Sequence, residues 1–146
     1  MNNAKIEINF YLNNKKQNLL VNPSDRVSKV LREDLGLMGT KIGCNAGDCG
    51  SCTILVNDEP VCACLMTVAK AEKKNIQTIE GLSLNGVSSL QKSFLKYGAA
   101  QCGICTPGLL VTATALLKKN STPSKKEVEE ALSGVLCRCT GYQKII

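Results

Sequence analysis

The chain has 146 residues, of which 44% are hydrophobic and 3% aromatic, and its formal net charge is +6. This length accommodates one large domain or two small ones, and so few aromatic side chains give a thin core unless bound cofactors hold the loops together. The absence of histidine argues against most catalytic zinc sites and against Ser-His or Cys-His catalysis, and the scattered lysines with few aromatics argue against nucleic acid.

The chain is predicted to begin with a β-hairpin. Hydrophobic residues alternate from Lys5 to Leu12, which indicates a half-buried strand. Asn13-Asn14 follows as a turn, since asparagine tolerates the left-handed backbone that tight hairpins need. Residues 17–21 then return as the second strand.

A helix is predicted next, with Ser24 as its N-cap and Gly36 as the glycine that ends it. The segment 43–52 follows directly and carries Cys44, Cys49 and Cys52 among three glycines. This C-x4-C-x2-C spacing is the one that plant-type ferredoxins use for a 2Fe–2S cluster. Thiolates suit iron, and glycines let the backbone wrap closely around the cluster.

Three short strands are predicted after this loop. Residues 53–56 form one strand, residues 57–60 a turn and residues 61–65 the return strand, and Ile76 with Ile79 indicates a last short strand. Cys62 and Cys64 fall on the same face of the return strand, so alternation leaves the fourth cysteine ligand open between them.

From about residue 82 the periodicity changes from two to 3.6, which indicates a helical second half. One helix ends at Gly98, a second starts at Thr106-Pro107 with Thr106 as its capping residue, and a third starts at the capping box Ser124 to Glu127. A last short helix is predicted to begin at Thr140-Gly141-Tyr142.

A second group of four cysteines lies in this helical half, as Cys102-x2-Cys105 and Cys137-x-Cys139. Cys105 directly precedes the helix at Thr106, and the positive end of a helix favours an anionic cluster. Two other interpretations of the cysteines remain: structural zinc sites held by four thiolates, or small buried hydrophobic residues.

Residues 101–108 and 137–142 closely resemble the iron–sulfur subunit of the molybdenum hydroxylase (xanthine oxidase) family. The first cysteine group has that family's order and spacing as well. The resemblance implies an α+β fold in two domains. Residues 1–81 would form a plant-type ferredoxin domain of β-grasp topology, and residues 82–146 a C-terminal helical bundle.

By this resemblance the chain is the electron-transfer subunit of a molybdenum-dependent oxidoreductase and has no catalytic residue of its own. Its partners would be a molybdopterin-binding large subunit and an FAD-binding medium subunit. Gln101 would hydrogen-bond the molybdopterin, and Cys62 would be a free thiol packed near the first cluster. The ligands of two 2Fe–2S clusters would be Cys44, Cys49, Cys52 and Cys64, and Cys102, Cys105, Cys137 and Cys139.

The N-terminus lacks an apolar leader, and no apolar stretch is long enough to span a bilayer, so we expect a cytoplasmic protein. The nine cysteines fit this expectation, because their number is odd and their spacing is typical of metal binding. Two alternative functions stay open: a free-standing ferredoxin-like electron carrier, and a zinc-stapled interaction module.

Overall fold

The computed structural model describes residues 4–146 and shows an α+β fold with a mixed five-stranded sheet and four helices. The α+β class is therefore confirmed. Residues 1–3 lie outside the described residues. They belong to the N-terminal segment from which a cytoplasmic location was predicted.

The strands are β1 (Ile6–Leu12), β2 (Lys15–Val21), β3 (Thr53–Val56), β4 (Glu59–Cys62) and β5 (Asn75–Gln77). They form one sheet in the order β2-β1-β5-β3-β4. The pair of β1 and β5 is parallel, and the other pairs are antiparallel. Two short 3₁₀ helices flank β5, at Val68–Ala71 and Ile79–Ser83.

Three of the four helices follow residue 82, as the change in periodicity predicted. The first helix is short and continues as a π-helical stretch over Val30–Asp34. The third and fourth helices are joined by a short connection, and the fourth begins with the predicted capping box between Ser124 and Glu127. The helices are α1 (Val27–Lys29), α2 (Ser89–Tyr97), α3 (Thr106–Lys119) and α4 (Lys125–Leu132).

Two tight turns connect the antiparallel strand pairs. Asn13 and Asn14 have φ angles of 51° and 66°, so the predicted hairpin turn is confirmed. Asn57 and Asp58 have φ angles of 50° and 66° and form a second two-residue turn, which lets β4 start at Glu59. The predicted strand 61–65 is therefore wrong by two to three residues at each end.

The N-caps of two helices differ from the prediction. Arg26 is the N-cap residue of α1, while Ser24 hydrogen-bonds to the side chain of Asn22 and caps nothing. Thr106 is the first residue inside α3, and Cys105 occupies the N-cap position. The extended backbone that an N-cap needs falls on Arg26 at α1, with φ and ψ of −75° and 142°. Cys105 at α3 is itself in a helical conformation, with φ and ψ of −80° and −19°, so the helical backbone already begins before Thr106.

Two predicted elements differ from the structure: one strand is shorter than predicted, and one short helix does not form. Ile79 begins a 3₁₀ helix and not a strand, because β5 has no pairing partner beyond Gln77. The short helix predicted to begin at Thr140-Gly141-Tyr142 is only a turn, in which the N–H groups of Ile145 and Ile146 donate to the Tyr142 carbonyl. Tyr142 and Gly141 have φ angles of 63° and 56°, and this left-handed backbone stops a right-handed helix from starting.

The sheet separates two packed layers. Ile54 points into the core shared with α1, and its neighbour Leu55 points to the opposite face, where it packs against Val111 and Ala115 of α3. Neighbouring residues of a strand face opposite sides of the sheet, so β3 alone contributes to both layers. The segment that precedes β3, the first cysteine loop, is thereby brought close to α3.

Over residues 4–146, none of the helices has the length and apolar character that crossing a membrane requires.

Candidate metal centres

The first cysteine loop, residues 43–52, directs backbone N–H groups at the sulfur of Cys44. The amides of Ala46, Asp48 and Cys49 lie 3.3, 3.3 and 3.4 Å from Cys44 Sγ. These amides, that of Ala46 above all, together with the Cys49 thiol lower the pKa of Cys44 to about 6. The loop thus stabilises the thiolate form, which is the form that binds metal.

Cys52 and Cys64 form the inner part of the same group. Both are 2% exposed, and burial raises the pKa of each thiol, that of Cys64 to about 11. The Cys52 and Cys64 thiols are close enough to influence each other, and the Cys49 thiol lies beside that of Cys44. The four side chains therefore come together as an outer pair and an inner pair.

Cys62 and Cys64 do not share a strand face, contrary to the prediction. Strand β4 ends at Cys62, and Cys64 lies two residues further on, in the turn that follows. The Cys62 thiol is half-buried, lies 3.8 Å from the carbonyl oxygen of Gly47 and also contacts Cys52. Both cysteines thus lie beside the loop, and Cys64 is the more deeply buried of the two.

The loop needs glycine at the positions where it closes on itself. Gly47 has a φ angle of +88°, and a side chain there would overlap Leu65. A Cβ at Gly43 would lie 2.8 Å from Cys49 Sγ, which is closer than side-chain carbons approach sulfur in real structures. Glycine therefore makes the convergence of the outer thiol pair possible.

The second cysteine group is assembled from two separate segments, the start of α3 and the residues after α4. Cys105 is the N-cap of α3 and is 7% exposed, and burial together with the neighbouring Cys137 thiol raises its pKa to about 12. Burial is also the largest single influence on Cys137 and acts in the same direction, but Thr140, Cys105 and Cys139 together outweigh it and bring the pKa of Cys137 to about 7. These two form the inner pair.

The outer pair of the second group is exposed to solvent. The sulfurs of Cys139 and Cys102 lie 3.6 Å apart, and the bond to Cys102 raises the pKa of Cys139. Gln101 is exposed and directly precedes Cys102 in the chain. The structure thus places Gln101 at the solvent-facing end of the second group, and its contact with molybdopterin stays a prediction.

Tyr142 holds the second group together in a way that the sequence interpretation missed. Its hydroxyl accepts a hydrogen bond from the Cys137 N–H at 2.9 Å and donates one to the Val135 carbonyl, also at 2.9 Å. The Thr140 hydroxyl lies 3.1 Å from Cys137 Sγ. The signal was present in the sequence, since Thr140-Gly141-Tyr142 directly follows Cys139, but a tyrosine in a loop does not by itself indicate such a bridge.

The pairing of the thiols fits a binuclear iron–sulfur cluster. Such a cluster has two irons, each bound by two cysteine thiolates, whereas a structural zinc site gathers all four sulfurs around one ion. Each group here brings four thiols together as two neighbouring pairs, and the sulfurs of Cys102 and Cys139 lie 3.6 Å apart. The donor set and its arrangement therefore suit 2Fe–2S chemistry.

Comparison with known proteins agrees with this geometry. Residues 10–82 match the family model of a 2Fe-2S iron-sulfur cluster binding domain, and residues 78–146 match that of a [2Fe-2S] binding domain. Together the two models cover both cysteine groups.

Two curated relatives and one solved structure show the same similarity over nearly full length. The nicotinate dehydrogenase small FeS subunit of Eubacterium barkeri is 48% identical over 142 residues, covering 97% of this chain and 90% of the relative. The xanthine dehydrogenase iron-sulfur-binding subunit of Escherichia coli O157:H7 is 45% identical over 130 residues, with coverages of 85% and 79%.

The solved structure is that of quinoline 2-oxidoreductase from Pseudomonas putida 86. It superposes with a TM-score of 0.94 at 46% identity, over 97% of this chain and 88% of the matched chain. From the two thiol groups, the two family models and these relatives it follows that the chain belongs to the family of 2Fe–2S small subunits of the molybdenum hydroxylases.

Proposed function

We propose that the chain is an electron-transfer subunit in which Cys44, Cys49, Cys52 and Cys64 hold one 2Fe–2S cluster and the second cysteine group holds another. The single observation that carries this proposal is that each group has a buried part and a part that reaches the surface: Cys52, Cys64 and Cys105 are buried, and Cys44, Cys102 and Cys139 are exposed. The ligands of the second cluster are Cys102, Cys105, Cys137 and Cys139. A 2Fe–2S cluster accepts and releases one electron at a time.

The contribution of the protein is to shape the two sites, since no step needs a general acid, a general base or a nucleophile from this chain. Amides aimed at Cys44 and the Thr140 hydroxyl beside Cys137 stabilise negative charge on sulfur. The position of Cys105 at the N-terminus of the 14-residue helix α3 does the same through the helix dipole. Such contacts determine the reduction potential of a cluster.

The partners follow from the relatives. Their names describe small or iron–sulfur subunits, which indicates that such chains work beside larger ones. For this chain we propose a molybdopterin-binding large subunit at the second group, with Gln101 in contact with the pterin, and an FAD-binding medium subunit nearer the first. The exposure of Cys44 at one group and of Cys102 and Cys139 at the other supports separate entry and exit points.

We further propose two domains, residues 1–81 of β-grasp topology and residues 82–146 as a helical bundle. The ranges of the two family models, 10–82 and 78–146, support this division. The packing of Leu109, Leu110 and Leu132 in a common cluster supports a separate helical core. A cytoplasmic location suits the nine cysteines, all of which are free thiols.

The proposal is tested by purifying the full chain without air and measuring its metal and its spectrum. We expect about four irons per chain, two for each cysteine group, and visible absorption typical of iron–sulfur protein. Colourless protein with bound zinc would contradict the proposal and favour the zinc-stapled module.

The partners are tested separately, by capturing the chain from its own cells and assaying the captured material for molybdenum and flavin. We expect both, together with two larger polypeptides. If the iron-loaded chain is captured alone, the result would contradict the proposed partner subunits and favour a free-standing electron carrier.

A further inference from the structure

The segment that carries Cys64 is fastened to the start of α1 by backbone hydrogen bonds. The N–H of Ser28 donates to the carbonyl oxygen of Ala63 at 3.1 Å. The N–H of Val27 donates to the carbonyl oxygen of Met66 at 2.9 Å. The first amides of a helix have no partner within the helix, so α1 offers them to this segment. The backbone is thereby held on both sides of the cysteine.

Arg26, the N-cap residue of α1, adds a side-chain bond at the residue that follows Cys64. Its guanidinium donates from Nη1 to the carbonyl oxygen of Leu65 at 2.7 Å. A guanidinium stays charged at any ordinary pH, and hydrogen bonds from a charged donor are stronger than neutral ones. The backbone of Leu65 therefore has a firm anchor, although the residue is 53% exposed.

The side chain of Leu65 packs on the first cysteine loop at Gly47. A Cβ at Gly47 would lie 2.9 Å from Leu65 Cγ, so the leucine fills the space that a side chain there would need. The residues on either side of this glycine, Ala46 and Asp48, have their amides 3.3 Å from Cys44 Sγ. The leucine therefore contacts the part of the loop that donates hydrogen bonds to the Cys44 sulfur.

We propose that Leu65 is a positioning residue of the first site and that Arg26 anchors it from α1. The leucine side chain holds the loop at Gly47, so that the flanking amides keep their hydrogen bonds to Cys44 Sγ. Because glycine has no side chain of its own, the loop takes its apolar contact at this point from the leucine. The inference rests on the proposed function and deepens it, since hydrogen bonds to a ligand sulfur tune a bound cluster.

Leu65→Ala tests the proposal by removing most of the side chain that packs on Gly47. The readout is amide hydrogen exchange of the iron-loaded full chain, followed by mass spectrometry. We expect several-fold faster exchange over residues 45–49 and unchanged exchange over residues 15–21 of β2. Leu84→Ala is the matched control, because Leu84 is also 53% exposed but lies beyond β5, and it should exchange as wild type does.

Two substitutions of Arg26 test the anchor. Arg26→Met removes the donor to the Leu65 carbonyl and should speed exchange of the same loop, though less than Leu65→Ala, because the leucine side chain remains. Arg26→Lys keeps a charged N–H donor and should bring the exchange rate back towards that of wild type. In electron paramagnetic resonance the spin signal of the first cluster should shift in Leu65→Ala and Arg26→Met, and that of the second should not.

The iron content of each protein is measured first, so that the two levels of the argument are separated. Wild-type protein without two clusters would contradict the proposed function itself. Fully loaded Leu65→Ala that exchanges residues 45–49 at the wild-type rate would overturn the inference and leave the proposed function intact. Equal acceleration in Arg26→Met and Arg26→Lys would contradict the role of Arg26 as the anchor. If Leu65→Ala does not retain iron, wild-type exchange in Arg26→Met overturns the inference instead.

Discussion

The two cysteine groups solve the same chemical problem with different kinds of structure. The first takes three of its four thiols from one ten-residue loop, which glycines and backbone amides shape locally. The second joins Cys102 and Cys105, before and at the start of α3, to Cys137 and Cys139, which follow α4. The first site therefore depends on loop geometry, and the second depends on the packing of helices that brings distant segments together.

The inner thiol pairs of the two groups also differ in their surroundings. Burial raises the pKa of both Cys52 and Cys64 in the first group. In the second group burial raises the pKa of Cys105, whereas hydrogen bonding, mainly by Thr140 with smaller contributions from Cys105 and Cys139, brings that of Cys137 to about 7. Because metal binding requires thiolates, loading either site releases protons, and the inner pair of the first group has to give up both of its own.

The largest effect is expected from removing the fourth cysteine of the first group. Cys64→Ala should lose the first cluster, about two of the four irons, because a binuclear cluster with three thiolates is incomplete. Cys62→Ala is the matched control and should keep both clusters. Iron analysis of the two variants decides which cysteine is the fourth ligand. Loss of iron in Cys62→Ala but not in Cys64→Ala would make Cys62 the ligand.

The dependence of the second group on helix packing is tested at Leu109 of α3, whose side chain is 0% exposed. Leu109→Ala should reduce the free energy of unfolding by about 2–5 kcal/mol, through lost burial and the cavity left behind. Its second cluster should be released at a lower urea concentration than its first. Leu117→Ala, at a half-exposed position of the same helix, is the control. Equal loss of both clusters in Leu109→Ala would contradict the distinction between the groups.

A smaller effect is expected at Tyr142. Tyr142→Phe removes the hydroxyl that binds the Cys137 amide and the Val135 carbonyl, which should cost about 1–3 kcal/mol of unfolding free energy because these partly buried groups lose a partner. The spin signal of the second cluster should shift, and that of the first should not. Tyr97→Phe, at an exposed tyrosine, is the control. Identical spectra for Tyr142→Phe and wild type would show that the bridge does not act on the second site.

The smallest effect concerns the start of α4, the helix that leads to the second group. Hydrogen bonds from the Ser124 side chain and backbone lower the pKa of Glu127 below its usual 4.5. The capping box therefore adds stability above pH 4.5, and this contribution is lost as the pH falls through the lowered pKa of the folded state. Glu127→Gln should be slightly less stable than wild type at neutral pH, and the difference should disappear in acid. A difference that grows in acid would contradict the ionised capping box.

Local patterns predicted the tight turns well and the contacts between distant segments less well. The spacing of Cys44, Cys49 and Cys52 among glycines is also a local signal; the structure places Cys44 beside Cys49, and the role of these thiols as ligands stays a prediction. The hairpin turn at Asn13-Asn14 is equally local and is confirmed. These features were predictable because each depends on the backbone preferences of neighbouring residues.

The remaining features depend on contacts between distant residues. Nothing in the sequence near Cys49 indicates that its carbonyl binds the Leu136 amide, because that bond exists only once α3 packs against β3. The start of the strand that contains Cys62 was predicted too late in the chain for a different reason. Proline at position 60 suggested a turn, but β4 is an edge strand, and an outward-facing position of an edge strand needs no N–H.

Electron paramagnetic resonance of the reduced, anaerobically purified chain tests most directly whether two independent clusters exist. Two distinct spin signals are predicted for the wild-type chain, and Cys139→Ala should remove one signal and leave the other unchanged. A single signal in wild type, or the loss of both signals in Cys139→Ala, would contradict two separate sites.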